Sequence, residues 1–337
     1  MDERISLAHG AGGTAMMKLI TDVILKELSL KRAGEVGLDE LDDGATITLG
    51  DKTLVLTTDA HTVKPLFFPG GDIGRLAISG TVNDLAVMGA KPLAMACAVV
   101  LREGFPIGDL RRICRSMDAT SREVGVPLIT GDTKVVEGDA LDGMVVTTTG
   151  VGIAETLVTD AGLKPGDKII ITGTVGDHGV AILAHREGID LKADVRSDVA
   201  PIWETVKAAL KVGGVTAMKD PTRGGVAAAL HEMASKAKVG IVLNEEDIPI
   251  SQAVMAASEM LGIDPLQITN EGKAIIGVAP EYCDEVLAAI RKTKYGNEAR
   301  VIGEAIAKHR GEVILKTIVG GHRLIESPIG DPAPRIC

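Results

Sequence analysis

The sequence predicts a two-domain α+β protein, and three observations lead to this fold class. Its 337 residues provide enough material for two hydrophobic cores. Strand and helix patterns mix along the whole chain and strands dominate the first half, which favours α+β domains over one doubly wound sheet. A polar segment rich in proline and glycine, "TDAGLKPGD" at 159–167, separates two such series. We therefore predict domains at 1–154 and 155–319, followed by a flexible tail at 320–337.

The first series opens with a helix over 13–29, where Met16, Leu19 and Ile20 recur at helical spacing. The alternating, β-branched stretch at 53–63 predicts a strand whose carboxyl end presents Asp59. The same patterns predict the rest of this domain: a helix at 72–89, a strand at 93–101, a helix at 107–125, and strands at 126–130 and 143–154.

The second series alternates short aliphatic strands with helices. The composition is 45% hydrophobic but only 2% aromatic, so both cores must be built from aliphatic side chains and methionine. The predicted strands lie at 168–173, 216–220, 239–243 and 273–279, with short strands near 300–315. The predicted helices lie at 178–188, 201–212, 223–238, 251–261 and 283–293.

Charge and composition exclude several classes of function. The net charge is −10 and no cluster of Lys and Arg is present, so we expect no nucleic-acid partner. The longest apolar runs are too short to span a bilayer, and the start "MDERISLAHG" lacks the pattern of a signal peptide. The four cysteines share no CxxC spacing, which predicts neither a zinc site nor a disulfide framework. We expect a soluble, cytoplasmic protein.

Acidic residues recur where a strand or helix meets a glycine-rich turn. Such turns are where side chains from distant segments can converge on a ligand. These residues are Asp42, Asp43, Asp59, Asp84, Asp132 and Asp220. Gathered together they would repel one another unless a hard cation such as Mg²⁺ held them, and Mg²⁺ shares its oxygen ligands with substrate phosphates. Spread apart, they would be ordinary helix caps and solvated loop acids.

Glycines and isolated charges suggest a phosphate site. Gly12 and Gly13 directly precede the first helix, where free backbone N–H groups suit an anion. Lys134 in "GDTKVVEG" and Arg223 in "DPTRGG" could add positive charge, and Glu271 in "TNEGKA" is a turn carboxylate at a strand entrance. Each of these side chains could equally be a solvated surface residue.

Taken in order, these segments resemble one family over the whole chain. The motifs are "HGAGG", "DDGAT", "TTDAHTVKPLFFPGGDIGRLAISGTVNDLAVMGAKP", "TGDTKVVEG", "GDHGVAIL", "KDPTRGGVA", "NEGK" and the final "PRIC". They look like the HypE family of hydrogenase maturation proteins, in the superfamily of aminoimidazole ribonucleotide synthetase (PurM) and selenophosphate synthetase. Selenophosphate synthetases would carry a reactive Cys or selenocysteine in the first glycine loop, which "AHGAGGT" lacks. One departure is Lys219, where the family pattern leads us to expect arginine.

The resemblance implies a fold, two cofactors and a reaction. The fold is PurM-like, with the N-terminal sheets of two subunits joined in a barrel across a homodimer and ATP bound near that interface. ATP and Mg²⁺ would drive dehydration of an S-carboxamide on Cys337 to a thiocyanate, with Lys134 steadying the phosphoryl group and Glu271 as the base candidate. The implied metal ligands are Asp43, Asp59, Asp84 and Asp220. The implied ATP and phosphate ligands are Gly12, Gly13, Asn83, Asp132, Thr133, Lys134 and Arg223.

The resemblance also implies partners and gives the tail a role. The carbamoyl group would arrive from the carbamoyltransferase HypF, and cyanide would pass to iron held by HypC and HypD for the [NiFe]-hydrogenase site. Pro328, Pro332 and Pro334 would stiffen the tail so that Cys337 reaches on the order of 40 Å. Two alternatives remain: a selenophosphate- or purine-type ATP enzyme with an inert tail, and a non-catalytic scaffold. ATP hydrolysis that depends on a carbamoylated tail would distinguish all three.

Overall fold

The computed structural model describes residues 4–10, 12–189, 194–328 and 336–337. The first domain is a five-stranded sheet in the order β1-β2-β7-β5-β6. Its strands are β1 (Ala45–Leu49), β2 (Lys52–His61), β5 (Ala90–Arg102), β6 (Leu128–Val136) and β7 (Met144–Ala154). Only the β5–β6 pair is parallel. The two-residue strands β3 (Phe67–Phe68) and β4 (Gly71–Asp72) pair separately.

Helices cover one face of this sheet. The N-terminal helix runs as α1 (Gly13–Leu19) and α2 (Leu25–Glu27), joined by a π-helical turn at Ile20–Ile24. The covering helices are α3 (Ile73–Val87) and α4 (Ile107–Val124). Asp72 begins α3 as a side-chain cap, since its Oδ1 accepts the N–H groups of Gly74 and Arg75 at 2.9 and 3.0 Å.

The second domain is a seven-stranded sheet in the order β14-β13-β10-β12-β8-β11-β9. Its strands are β8 (Lys168–Ile171), β9 (Val215–Lys219), β10 (Gly240–Asn244), β11 (Ile275–Val278), β12 (Arg300–Ile306), β13 (Val313–Lys316) and β14 (His322–Ile325). Its helices are α5 (Asp177–Glu187), α6 (Trp203–Val212), α7 (Gly225–Ala237), α8 (Gln252–Leu261) and α9 (Cys283–Arg291). No helix in the described ranges is long and apolar enough to cross a membrane.

One continuous core joins the two domains. Buried residues of α3, such as Ile73 and Leu76, belong to the same cluster as Met95 of β5, Val206 of α6 and Ile276 of β11. Burial of aliphatic area of this kind is the main favourable contribution to folding. The shared core fixes the carboxyl end of β2 against the loops of the second domain, which is where the cavity described below lies.

The other face of the five-stranded sheet has no helix against it among the described residues. Residues of β7 alternate strictly between buried and half-buried. Leu56 on β2 lies directly opposite Val151 on β7, and Leu54 lies opposite Ile153, so these aliphatic side chains share the uncovered face. Leu56 is 41% exposed.

The structure adds three features to the predicted elements. Strand β1 is absent from the prediction because "DDGATITLG" begins with a turn signal. Strand β6 continues to Val136, since "TGDTKVV" pairs with β5 although glycine and aspartate are typical of turns. Strand β14 pairs with β13, so regular structure extends to Ile325, beyond the predicted start of the tail at 320. The predicted stiffening residues Pro332 and Pro334 lie outside the described residues.

Candidate active site

A polar cavity of about 190 Å³ lies where the carboxyl end of β2 meets loops of the second domain. Its wall combines side chains from both domains with the last residue of the sequence. Seven of the residues singled out from the sequence line it together: Asp43, Asp59, Asp84, Asp220, Arg223, Glu271 and Cys337. The convergence expected from their positions at glycine-rich turns is therefore present.

Strand β2 supplies one side of the cavity. Asp59 and His61 are two residues apart, so both side chains point to the same face of the sheet. His61 Nε2 lies 3.4 Å from Asp59 Oδ2 without hydrogen-bond geometry. Burial lowers the pKa of His61, and the Asp59 charge opposes this shift. The imidazole is therefore a neutral, buried neighbour of the acidic cluster.

Two other aspartates stand deeper in the wall. Thr57 Oγ1 donates to Asp84 Oδ2 at 2.8 Å and lies 2.9 Å from the carbonyl oxygen of Asp43. Burial raises the pKa of Asp84 well above its usual range, with further contributions from the charges of Asp220, Asp59 and Asp43. Burial and the Asp43 charge likewise raise the pKa of Asp220. Both carboxyls would release their protons more readily if a cation entered.

Glu271 and Arg223 both line this acidic region. Burial raises the pKa of Glu271 well above its usual range, the charges of Asp59 and Asp220 add to the rise, and Arg223 opposes it. The charge of Cys337 is the largest influence that raises the pKa of the Arg223 guanidinium, against the opposing effect of burial. Arg223 is thus the positive group nearest the tail cysteine within this lining.

A buried lysine ties the acidic cluster to the second domain. Lys219 Nζ lies 2.8 Å from Asp43 Oδ1, 3.4 Å from Asp160 Oδ2 and 3.3 Å from Glu232 Oε2. The three carboxylates raise the pKa of Lys219 well above its usual range although burial acts in the other direction. Burial, together with the charges of Asp160 and Asp43, raises the pKa of Asp42 to about 7. Lys219 therefore has a structural role, the neutralisation of nearby carboxylates, which arginine could also fill at this position.

The cavity fits a divalent cation that arrives with a nucleotide. Asp43 Oδ2, Asp220 Oδ2 and Glu271 Oε1 are buried and make no hydrogen bond. Carboxylate oxygens left in this way suit a hard cation such as Mg²⁺. No three His, Cys, Asp or Glu side chains in the described part of the chain already surround an ion position. An ion here would take part of its coordination from phosphate or water, as Mg²⁺ usually does.

The end of the sequence is docked in the cavity. Ile336 is 2% exposed and packs in the core shared by the two domains. His178 Nε2 lies 3.0 Å from the Ile336 carbonyl oxygen. The main-chain oxygen of Cys337 accepts from the N–H and the hydroxyl of Thr62, at 3.2 and 3.3 Å. His178 therefore holds a main-chain oxygen of Ile336, and Thr62 holds a main-chain oxygen of Cys337.

The N-terminal glycines contact the tail as well as the cavity region. The Thr14 N–H donates to the carbonyl oxygen of Pro328 at 3.3 Å. A Cβ built on Gly13 would stand 2.0 Å from that same oxygen, and one on Gly12 would stand 3.0 Å from Arg223 Cβ. Both glycines have positive φ, so neither position suits another residue. Gly12 and Gly13, the predicted phosphate site, thus lie beside Arg223 and against the tail at Pro328.

Asn83 does not line the cavity. Its amide nitrogen donates to the carbonyl oxygens of Ala200 and Glu271, at 3.1 and 3.3 Å, and its Oδ1 accepts from Ile202 at 2.9 Å. The buried amide therefore fixes the backbone that carries Glu271. Its predicted contact with ATP has no support from this geometry.

Lys134, Asp132 and Thr133 also lie away from the cavity, on the edge strand β6. Lys134 Nζ pairs with Asp132 Oδ2 at 2.9 Å, and the two side chains are 69% and 62% exposed. Lys134 pairs in register with Val100 of β5. Its own strand, β6, is the third strand from β2 in the sheet. At about 4.8 Å per strand this is roughly 14 Å from β2. The structure does not bring Lys134 to the acidic residues that line this cavity in its own chain.

The cavity also contains residues that the sequence analysis did not single out. These are Thr57, Thr58, Ala60, His61 and Thr222. All lie within two positions of a residue that was singled out, so strand alternation could have identified His61 on the same face as Asp59, and the turn "DPTRGG" could have included Thr222. His178 and Thr62 are held against the tail by contacts over 158 and 275 positions, which no local pattern encodes.

Comparisons with known proteins place this fold in a class. Models for the N-terminal and C-terminal domains of AIR synthase related proteins match residues 41–154 and 164–316. The fold is accordingly the two-domain AIR synthase type with mixed α+β content, as predicted.

The chain belongs to the HypE family within that class. The carbamoyl dehydratase HypE of Cupriavidus necator is 47% identical over 338 residues, covering 99% of this chain and 95% of the relative. A solved HypE–HypF complex is 39% identical with a TM-score of 0.86, covering 92% of this chain and 99% of that chain. A HypE structure in complex with ATP is 38% identical with a TM-score of 0.82, covering 98% and 100%. The resemblance seen in the motifs is confirmed.

Proposed function

We propose that this protein is an ATP-dependent carbamoyl dehydratase that converts an S-carboxamide on Cys337 into a thiocyanate, the source of the cyanide ligands for [NiFe]-hydrogenase iron. The observation that carries the proposal is the position of Cys337, docked in the same cavity as Glu271, Arg223 and the acidic cluster. An inert tail would have no reason to place its cysteine there. Family membership adds independent support.

The chemistry requires that oxygen leave an amide. ATP, bound with Mg²⁺, supplies the phosphoryl group that turns the amide oxygen into a phosphate leaving group. The amide nitrogen loses both of its protons over the reaction, and phosphate departs with the former amide oxygen. One of the two amide protons ends on the inorganic phosphate and the other is released, so the balanced products are the thiocyanate, ADP, hydrogen phosphate and one proton.

Glu271 is the base that we propose for the N–H proton. Its buried carboxyl has a raised pKa, and a base is more effective when its pKa approaches the operating pH. Asn83 and Asp198 hold the Glu271 backbone through hydrogen bonds of 3.3 and 3.0 Å. Arg223 would steady negative charge that develops on the transferred phosphoryl group.

Asp43, Asp59, Asp84 and Asp220 are the residues that we propose to hold Mg²⁺. The unpaired oxygens of Asp43 and Asp220, together with the raised pKa values of Asp84 and Asp220, describe a cluster of carboxylates in need of positive charge. Their roles are tested with Asp84→Asn and Asp220→Asn, which keep shape but reduce charge. Each should abolish Mg²⁺-dependent ATP turnover in a folded protein.

A homodimer would cover the open face of the five-stranded sheet. Leu54, Leu56, Val151 and Ile153 form an aliphatic surface there, which two copies could bury against each other as a barrel. Val100 and its register partner Lys134 continue this face. A role for Lys134 at the phosphoryl group would then be exerted across the dimer, in the partner's cavity.

The proposed partners follow from the chemistry of the tail. HypF would load the carbamoyl group onto Cys337, and the HypC–HypD complex would receive the cyanide, in the cytoplasm. A tail that visits both its own cavity and a partner must be able to undock, so the contacts that hold Ile336 and Cys337 in the cavity must be reversible.

ATP turnover tests the proposal. The wild-type protein should hydrolyse ATP rapidly only after HypF and a carbamoyl donor have loaded Cys337, and Cys337→Ala should bind ATP without this stimulation. Equal turnover in the loaded, unloaded and Cys337→Ala proteins would instead indicate an ATP enzyme with an inert tail.

A further inference from the structure

We propose that Thr62 and His178 are positioning residues that hold the two last main-chain oxygens of the docked tail and thereby direct the Cys337 side chain into the acidic cavity. The inference deepens the proposed function, on which it rests. Thr62 comes from the first domain, immediately after β2, and His178 comes from α5 of the second. The tail is thus held by groups from both domains.

Thr62 makes a two-point contact. Its N–H and its hydroxyl both address the Cys337 oxygen, at 3.2 and 3.3 Å. Thr62 directly follows His61, a wall residue of the cavity, so the contact fixes Cys337 relative to Asp59 and its neighbours. The attraction between the charges of Cys337 and Arg223 acts in the same direction.

His178 donates a hydrogen bond from Nε2 to the Ile336 carbonyl oxygen. The Ile336 carbonyl can only accept, so the contact of 3.0 Å places a proton on His178 Nε2. Ser197 Oγ lies 2.7 Å from His178 Nδ1 and itself accepts from the Val199 N–H at 3.0 Å. The Ser197 hydroxyl therefore donates to Nδ1, which fixes the neutral tautomer with its proton on Nε2.

Packing restrains the same histidine. His178 is fully buried, and its ring meets the Phe68 ring edge-on with centroids 5.6 Å apart. Burial lowers the pKa of His178, in agreement with a neutral ring. Because the imidazole contacts Ser197 and Phe68 and is buried, its Nε2–H points in one direction. This fixed direction is what accurate placement of the docked tail requires.

The test measures docking directly, as the rate at which iodoacetamide alkylates Cys337 in the full chain. Cys114 is exposed and serves as the reference thiol in every protein, while Cys283 is buried and reports unfolding. Rates for each cysteine come from peptide masses over time. No ATP and no carbamoyl donor are added, so the readout does not depend on the proposed reaction.

The variants come in matched pairs. Thr62→Val removes the hydroxyl, whereas Thr62→Ser keeps it. His178→Phe removes the donor, whereas His178→Gln places an amide N–H close to the former Nε2. Loss of one hydrogen bond should raise the Cys337 rate, relative to Cys114, by about threefold to tenfold. The conservative variants should remain within about twofold of wild type, and Cys283 should stay protected in all of them.

The proposal is overturned if Thr62→Val and His178→Phe leave the relative Cys337 rate unchanged, or if the conservative variants release the tail as much as the disruptive ones. Single-turnover dehydration of carbamoylated protein separates this result from the proposed function. Normal protection of wild-type Cys337 without any dehydration would refute the function and leave the positioning roles standing.

Discussion

Replacing Glu271 by glutamine should stop the dehydration while leaving the fold intact. The backbone contacts of Glu271 with Asn83 and Asp198 do not involve the side chain, so they survive the change. The Glu271 side chain is buried with Oε1 unpaired, and the charges of Asp59 and Asp220 oppose its ionisation. A neutral amide of the same shape relieves that repulsion, and we expect unchanged or slightly higher thermal stability.

The expected kinetic loss follows from the role of a positioned base. Proton transfer by such a group contributes about 10²- to 10⁴-fold, so single-turnover dehydration of carbamoylated Glu271→Gln should be slower by that factor. ATP affinity should be nearly unchanged. Glu271→Asp, which keeps the carboxylate but withdraws it by one methylene, should retain part of the rate and serves as the control.

The pH profile gives a second test of the same residue. A base acts when deprotonated, so the wild-type rate should rise with pH through the raised pKa of Glu271. Glu271→Gln should lose that rise. The reasoning is refuted if Glu271→Gln dehydrates the tail within threefold of wild type, or if it keeps the wild-type pH profile.

The remaining predictions concern stability and assembly. Lys219→Met should lower the free energy of unfolding by about 3–5 kcal/mol in urea titrations, because it removes the lysine paired with the buried Asp43 and leaves Asp160 with Lys236 alone. Lys219→Arg should stay within about 1 kcal/mol, as should Lys168→Met at an exposed pair. Without Mg²⁺, the stability difference between the wild type and Asp42→Asn should fall as pH rises, because a carboxyl with a raised pKa binds its proton more tightly in the folded state; the decline runs from the ordinary 3.8 of Asp42 to about 7. This difference cancels the opposite contribution of the buried His61 and His178, and thermal denaturation in which it grew between pH 5 and pH 8 would contradict the prediction. Leu56→Glu, on the open face of the first sheet, should give monomers in light scattering, whereas Leu324→Glu, at an even more exposed leucine on the second sheet, should not. A dimeric Leu56→Glu protein would exclude this face as the interface.

Local sequence patterns predicted the elements that their own residues determine. Helix α3 begins beside Asp72, and Gly89 with φ of 73° follows its end, as a cap and a left-handed glycine dictate. Strand β7 shows the strict alternation of a sheet with one buried face. Four of the six aspartates at glycine-rich turns meet in one cavity: Asp43, Asp59, Asp84 and Asp220. Their roles as metal ligands stay predictions.

Contacts between distant segments could not be predicted from such local patterns. In the sequence, Asn83 is simply a polar residue within a predicted helix. In the structure its amide nitrogen donates to the carbonyl oxygens of Ala200 and Glu271. Lys134 follows a glycine-aspartate pair that suggests a loop, yet it lies on an edge strand because β5 offers a pairing partner. Only the tertiary fold specifies that Thr62 and His178 meet the tail.

The central claim is that Cys337 carries the substrate into the cavity of its own protein. The most direct measurement is the mass of the C-terminal peptide after incubation with HypF, a carbamoyl donor and ATP. We predict that wild-type Cys337 first gains a carbamoyl group and then loses the mass of one water, and that Glu271→Gln stops at the carbamoylated form. A carbamoylated Cys337 that never loses water in the wild-type protein, or water loss without ATP, would contradict the account.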